Sequence, residues 1–140
     1  MTTPEQFPDA CEALIGTPFR HRGRNHAGID CRGLFLVGAE DVGVHIDPFD
    51  DYEPQPDPAV LLREVRARFD ESPWAERLLP GRVLVLRQKV GRDPKHFAVT
   101  LREPGWAIHR DTVKAKRFRV RDEFVHSVWR VRGINYEGGE

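Results

Sequence analysis

Cysteine is scarce in this chain of 140 residues, occurring only at Cys11 and Cys31, and methionine occurs once. The two could in principle pair, but a reducing compartment and a Cys11 buried on a helix are the simpler account, so both are expected to be free. Long apolar runs are missing as well: none approaches the roughly 20 residues needed to span a bilayer. Met1 to Phe7 has neither the basic start nor the apolar stretch of a secretory signal. The expectation is synthesis in the cytoplasm without export by that route. An excess of one charge is absent too, with 22 Lys+Arg against 22 Asp+Glu. There are no internal repeats and no low-complexity tract.

Balanced in total, the charge is uneven along the chain. Residues 1–70 hold 7 Lys+Arg against 13 Asp+Glu, and the rest hold 15 against 9, so the two halves should attract each other. Lys114, Lys116, Arg117, Arg119 and Arg121 form a basic stretch. Arg117, Arg119 and Arg121 alternate with Phe118 and Val120, which reads as one solvated sheet face, and no recognition-helix or base-stacking pattern accompanies them. No nucleic-acid partner is expected. Metal ligation is not expected either. His21, His26 and Cys31 lie five apart in a Gly- and Arg-rich segment unlike a zinc site, and Asp47, Asp50 and Asp51 lack the glycine and terminal glutamate of a calcium loop. His45 and His126 stand alone.

The chemistry points to Cys31. Asp30 is a good N-cap, and Leu34, Phe35, Val37 and Val42 follow at roughly helical spacing, which places Cys31 in a first helical turn. Unpaired N–H groups and the positive end of the helix dipole favour thiolate there, and a nearby imidazole lowers a free thiol's pKa of about 8.5 further. Gly33 lets another segment or a substrate approach the helix start, and N–H groups of Cys31 and its neighbours can face an oxyanion. Against this stands the ordinary fate of free cysteines, which are mostly buried and inert.

Two histidines supply candidate partners. Lys95 to Leu101 alternates His96, Ala98 and Thr100 with Phe97, Val99 and Leu101, the pattern of a half-buried strand. Glu103-Pro104-Gly105 is turn chemistry, and Trp106 to Arg110 resumes an extended pattern. With a loop over 102–105, Leu101 faces Trp106 and Ala98 faces His109, so His109 lies on the His96 side, one diagonal step away. A one-residue slip would separate the rings. In the catalytic reading His96 is the general base for Cys31 and His109 orients it; in the plain reading each is a hydrogen-bonded strand histidine.

The remaining chain reads coarsely. Phe7, Cys11, Leu14 and Ile15 form one helical stripe, placing Cys11 in the core. The stretch from Asp47 to Pro58 is polar and punctuated, a loop. Asp57-Pro58 then opens a helix to about Asp70, with Leu61, Leu62, Val65 and Phe69 along one side. Extended segments are expected near Val83–Arg87, Lys95–Leu101, Trp106–Arg110, Phe118–Arg121 and Phe124–Ile134. The length fits one domain over 1–140, with a core over 9–132 and a flexible tail over 133–140.

Gly16-Thr17-Pro18-Phe19-Arg20-His21, Gly28-Ile29-Asp30-Cys31-Arg32-Gly33-Leu34, Pro80-Gly81 before Val83-Leu84-Val85-Leu86, His96-Phe97-Ala98-Val99 and Ile108-His109 together resemble the NlpC/p60 family of cell-wall cysteine peptidases. Within it they most resemble small phage-type members associated with tail assembly and gene transfer agents. The resemblance covers roughly Asp9 to Arg132. It implies an α+β, papain-like fold, with N-terminal helices on an antiparallel sheet of about five strands. It also implies Cys31 as nucleophile, His96 as base and His109 as orienting residue, with no cofactor or metal. Peptidoglycan peptide is the implied substrate and phage-like tail proteins are the implied partners. Three positions depart from the family pattern: Phe19 replaces a tyrosine, Arg32 a serine and Arg82 an aspartate. Arg32 is expected to point outward from the first turn, and Arg82 to affect its turn more than the chemistry.

The reading is a thiol hydrolase cleaving an amide bond in peptidoglycan stem peptides through an acyl-enzyme, delivered to the wall by a particle such as a phage-like tail. Two alternatives use the same residues: a weakly active or non-enzymatic component of a tail tip, and an amidase or acyltransferase acting elsewhere.

Overall fold

Two aspartates start the longer helices of the protein. In the computed structural model, which describes residues 1–49, 57–87, 93–110 and 113–137, Asp30 caps α2 (Cys31–Asp41) by accepting from the Arg32 and Gly33 N–H groups. Asp57 does the same for α3 (Pro58–Arg68), with Pro58 in the first turn. A shorter helix, α1 (Gln6–Glu12), precedes them. Between α1 and α2 lies a two-stranded ribbon of β1 (Arg24–Asn25) and β2 (Gly28–Ile29).

Apart from short 3₁₀ turns at Trp74–Glu76 and Asp122–Phe124, the rest of the secondary structure among the described residues is one antiparallel sheet. Its strands are β3 (Phe69–Glu71), β4 (Arg82–Arg87), β5 (Pro94–Thr100), β6 (Trp106–Arg110), β7 (Ala115–Arg119) and β8 (Val125–Val131), ordered β3-β8-β4-β5-β6-β7. The α+β class holds, with six strands in place of the five expected. The extra strand is β3, expected as the end of a helix. Phe69 leaves helical geometry (φ −124°, ψ 161°) to pair with Val131 and bury its ring. Pairing with an open sheet edge outweighs local helical preference there.

Alternation along β4 and β5 divides the core. Val83, Val85, Phe97, Val99 and Ile108 face the helices together with Leu34, Phe35 and Val37. Phe35 is the hub of this side, its ring 5.5 Å from Phe69, 5.3 Å from Phe97 and 5.7 Å from Phe49. Leu84, Leu86, Ala98, Ala107, Val125 and Val128 form the other side, against which Phe118 and Val120 pack. The stretch from Asp47 forms no helix or strand as far as Phe49, but it is not purely polar, because Phe49 is buried against Phe35 and Phe97. Asp50, Asp51 and the rest of 50–56 lie outside the described residues, as do 138–140.

α1 docks on α2 at Gly38, where a Cβ would come within 2.4 Å of the Cys11 Sγ. Cys11 is fully buried, its thiol donates to the Leu34 carbonyl at 3.8 Å, and burial, seconded by Asp41, pushes its pKa far up. Both cysteines are free. Ile15 leaves the expected stripe and is 46% exposed, because α1 ends at Glu12.

The segment after β8, expected to be a flexible tail, is docked as far as it is described. Ile134 is buried, and the Tyr136 hydroxyl donates to the Gly81 carbonyl at 2.6 Å and accepts from the Val131 N–H at 3.0 Å. Burial pushes the Tyr136 pKa up to about 12. Its ring covers Arg82, which is 5% exposed. Arg82 donates to Pro80 O at 2.7 Å, holding the turn as expected, but it also pairs with Glu76 at 2.7 Å. The acidic and basic halves meet through Asp9–Arg102, Glu12–Arg117 and Asp70–Arg132, pairs whose contact with water keeps their contribution small.

Candidate active site

The start of α2 is built by backbone squeezed against backbone. The Asp30 Oδ1 accepts from Arg32 N (3.1 Å), Gly33 N (2.7 Å) and Arg24 Nη1 (2.9 Å), while Oδ2 accepts from Arg22 N at 3.1 Å. One buried carboxylate therefore caps the helix and clamps the preceding ribbon to it. A Cβ on Gly33 would lie 2.1 Å from the Gly23 carbonyl oxygen, and one on Gly23 would lie 2.4 Å from that of Gly28. The close approach expected at Gly33 is made by the chain itself. G33A should cost several kcal/mol by forcing these segments apart, read as a large drop in urea midpoint.

Cys31 is the first residue of α2 and is 7% exposed. A continuous ladder links its approach to the histidine strands. Ile29 exchanges bonds with Pro18 and Arg20, Phe19 N donates to Val113 O at 2.8 Å, and Ala115 N donates to Thr17 O at 3.0 Å. Ala115 and Lys116 in turn pair with Arg110 and His109 of β6. α2 packs across both β5 and β6.

The β5–β6 register is the one the loop length predicted: Val99 opposes Ile108 and Thr100 opposes Ala107. The diagonal neighbours His96 and His109 meet, with His96 Nε2 3.1 Å from His109 Nδ1 and the rings edge-on at 76°. They lie on the sheet side of Leu86 and Ala98, the His109 ring 4.3 Å from that of Phe118. Of the three sequence-predicted site residues, the two histidines are hydrogen-bonded to each other on the side of Leu86 and Ala98, and Cys31, at the start of α2, belongs to the core cluster of the helix-covered side.

Arg32 overturns its expected outward pointing. It is 3% exposed, its guanidinium 5.2 Å from the Phe49 ring centre and 5.3 Å from that of Phe97, with Nη1 3.8 Å from the Cys31 Sγ. Sequence reading missed it because helical position alone does not show that aromatic rings will cover a first-turn side chain. Nearby, Phe19 is 40% exposed and borders the exposed Val113. A separate cavity of about 410 Å³ lies along α2, lined by Arg24, Leu36, Val37, Glu40, Val44 and Ile46 among others. Cys31, His96 and His109 do not line it.

Several solved structures share this architecture. The NlpC/p60 domain of peptidoglycan hydrolase SagA matches with a TM-score of 0.65 at 18% identity, over 89% of this chain and 95% of that domain. The p60 domain of an antigen from M. avium subspecies paratuberculosis matches with 0.63 at 20% identity, over 95% and 96%. This chain has the NlpC/p60 fold. An NlpC/p60 family protein from Bacillus cereus ATCC 10987 matches with 0.67 at 16% identity, over 92% of this chain but 40% of its own. No family model matches the sequence, and no curated protein matches it. At these identities the likeness concerns the NlpC/p60 fold, and the chemistry rests on the residues.

Proposed function

We propose that this protein is a cysteine hydrolase that cleaves an amide bond in peptidoglycan stem peptides, and that a particle such as a phage-like tail delivers it to the wall. The observation that carries the reading is the His96–His109 hydrogen bond at 3.1 Å, on two strands crossed by the helix that Cys31 heads. The NlpC/p60 fold, one of whose solved examples is a peptidoglycan hydrolase domain, supports the substrate class. The phage-type delivery rests on the resemblance of Thr17-Pro18-Phe19-Arg20-His21 to the segment that precedes the cysteine in phage-type members.

In the tautomer this reaction needs, His96 Nε2–H donates to His109 Nδ1 and His96 Nδ1 is the nitrogen that takes a proton. In the proposed reaction it takes the Cys31 thiol proton, and the thiolate forms a C–S bond to the scissile carbonyl. The Arg32 and Gly33 N–H groups are committed to Asp30, so the Cys31 N–H at the helix start faces the oxyanion. Collapse breaks the C–N bond, and the His96 proton leaves with the amine. Water then attacks the thioester, giving up its proton to His96, and the carboxylate and the free thiol result.

The test is incubation with purified wall fragments and mass analysis of the products. Cleavage should release one new amine and one new carboxylate at a stem-peptide amide. H96A should lower kcat about 10³-fold, the range of a positioned base. H109A should lower it about 10- to 100-fold with KM unchanged, because it orients the base without touching substrate. Intact fragments after prolonged incubation, or H96A cleaving like the parent, would sink the proposal.

A further inference from the structure

An arginine in a first helical turn opposes the helix dipole, and burying its charge costs desolvation energy. Arg32 accepts both penalties, and two aromatic faces compensate it. Phe49 and Phe97 lie 5.2 and 5.3 Å from the guanidinium carbon, and Phe97 follows His96 directly on β5. The cation is thereby held with Nη1 3.8 Å from the Cys31 Sγ, within range of a charge-assisted contact to a thiolate.

We propose that Arg32 is a second activator of the Cys31 thiolate, a permanent positive charge that holds the sulfur ionised whatever the protonation state of the imidazoles. The proposal rests on the reading of Cys31 as nucleophile and adds to it: an imidazole that has lost its proton no longer attracts a thiolate, whereas a guanidinium does so across the working pH range. The other charged and titratable groups around the helix start are few. Asp30 opposes a thiolate but is paired with Arg24 at 2.9 Å. His96 and His109 come from β5 and β6. Arg68 of α3 lies 4.6 Å from the Phe49 ring centre and is paired with Glu64 at 3.0 Å. The Arg32 guanidinium is in direct contact with the sulfur.

The experiment is the pH dependence of Cys31 alkylation by iodoacetamide on the full chain, with the label located by mass spectrometry and the buried Cys11 as an unreactive internal control. The parent protein should show a midpoint about two pH units below the ordinary thiol value of about 8.5. R32M keeps an apolar chain between the rings without the charge, and should raise the midpoint by about one unit or more. R32K should fall between the two. H96A, with Arg32 intact, should still alkylate well below the ordinary midpoint, and H96A/R32M should return to it. A residue serving structure alone would show a lower melting temperature and an unmoved midpoint in R32M.

An unmoved midpoint in folded R32M would overturn the proposal. So would an ordinary midpoint in H96A, a measurement that leaves Arg32 untouched and does not depend on R32M folding. The parent reading fails separately, by wall hydrolysis that survives C31S, an outcome on which the alkylation midpoints do not depend.

Discussion

C31A is expected to lose at least about 10³-fold in kcat/KM on wall fragments, about 4 kcal/mol of transition-state stabilisation, while keeping its fold. The two halves of this expectation have different causes. The loss follows from the proposed chemistry: with no sulfur there is no acyl-enzyme, and the His96–His109 pair has no thiol proton to take. The retained fold follows from the way α2 is started. Asp30 caps the helix through the backbone N–H groups of Arg32 and Gly33, and neither bond involves the Cys31 side chain. Alanine is also the best helix former. The melting temperature and far-ultraviolet circular dichroism should therefore match those of the parent. Native alkylation adds a control, because C31A should take up no label at all. Cys11, fully buried with its pKa pushed far up, stays unreactive until the chain unfolds. Undiminished wall digestion by C31A would end the assignment.

A large effect on stability is also expected at Glu76. Its carboxylate accepts from Arg82 at 2.7 Å, from Arg130 Nε at 3.0 Å and from the Ser72 hydroxyl at 2.6 Å. Tyr136 closes over both guanidiniums, 4.7 Å from that of Arg82 and 5.4 Å from that of Arg130. E76A would leave Arg82 buried without its counter-charge, and should cost about 3 kcal/mol, a large share of the 5–15 kcal/mol that holds a domain of this size together. E76Q, which keeps the shape and one acceptor, should cost less.

Acid should act on the same cluster. Burial alone would raise the Glu76 pKa, but hydrogen bonds from Arg130, Ser72 and Arg82 outweigh it and hold the carboxyl at about 2, below its ordinary 4.5. A carboxyl depressed on folding stabilises the protein fully above about 4.5, and the contribution disappears as pH falls from there through about 2. Urea unfolding at a series of pH values should show a loss across that window in the parent and a smaller one in E76Q. Parallel profiles would mean that the cluster adds nothing through ionisation.

What could be read along the chain is what depends on neighbours in sequence. Asp30 and Asp57 announce helix starts because a cap acts on N–H groups two and three residues away. The meeting of His96 and His109 follows from counting through a short loop, since strand alternation and hairpin length fix which residues become diagonal neighbours. The sixth strand escaped this reasoning, because β3 is three residues long and exists only through β8. So did the docking of Ile134 and Tyr136, whose partners lie at the other end of the chain or across the sheet.

The helix that Cys31 heads and the register that joins the two imidazoles were legible in the chain alone, because each is a matter of short-range periodicity and capping, while the α+β class came with the resemblance to the NlpC/p60 family. The inward turn of Arg32 to the sulfur and the locking of Arg82 beneath Tyr136 emerge only when the chain is folded. A buried cation is tolerable only where distant groups compensate its lost water, here Phe49 and Phe97 for one arginine and Glu76 for the other. Those partners lie 17 and 65 residues from Arg32 and 6 residues from Arg82 along the chain, brought into contact by the folding of the sheet and its helices.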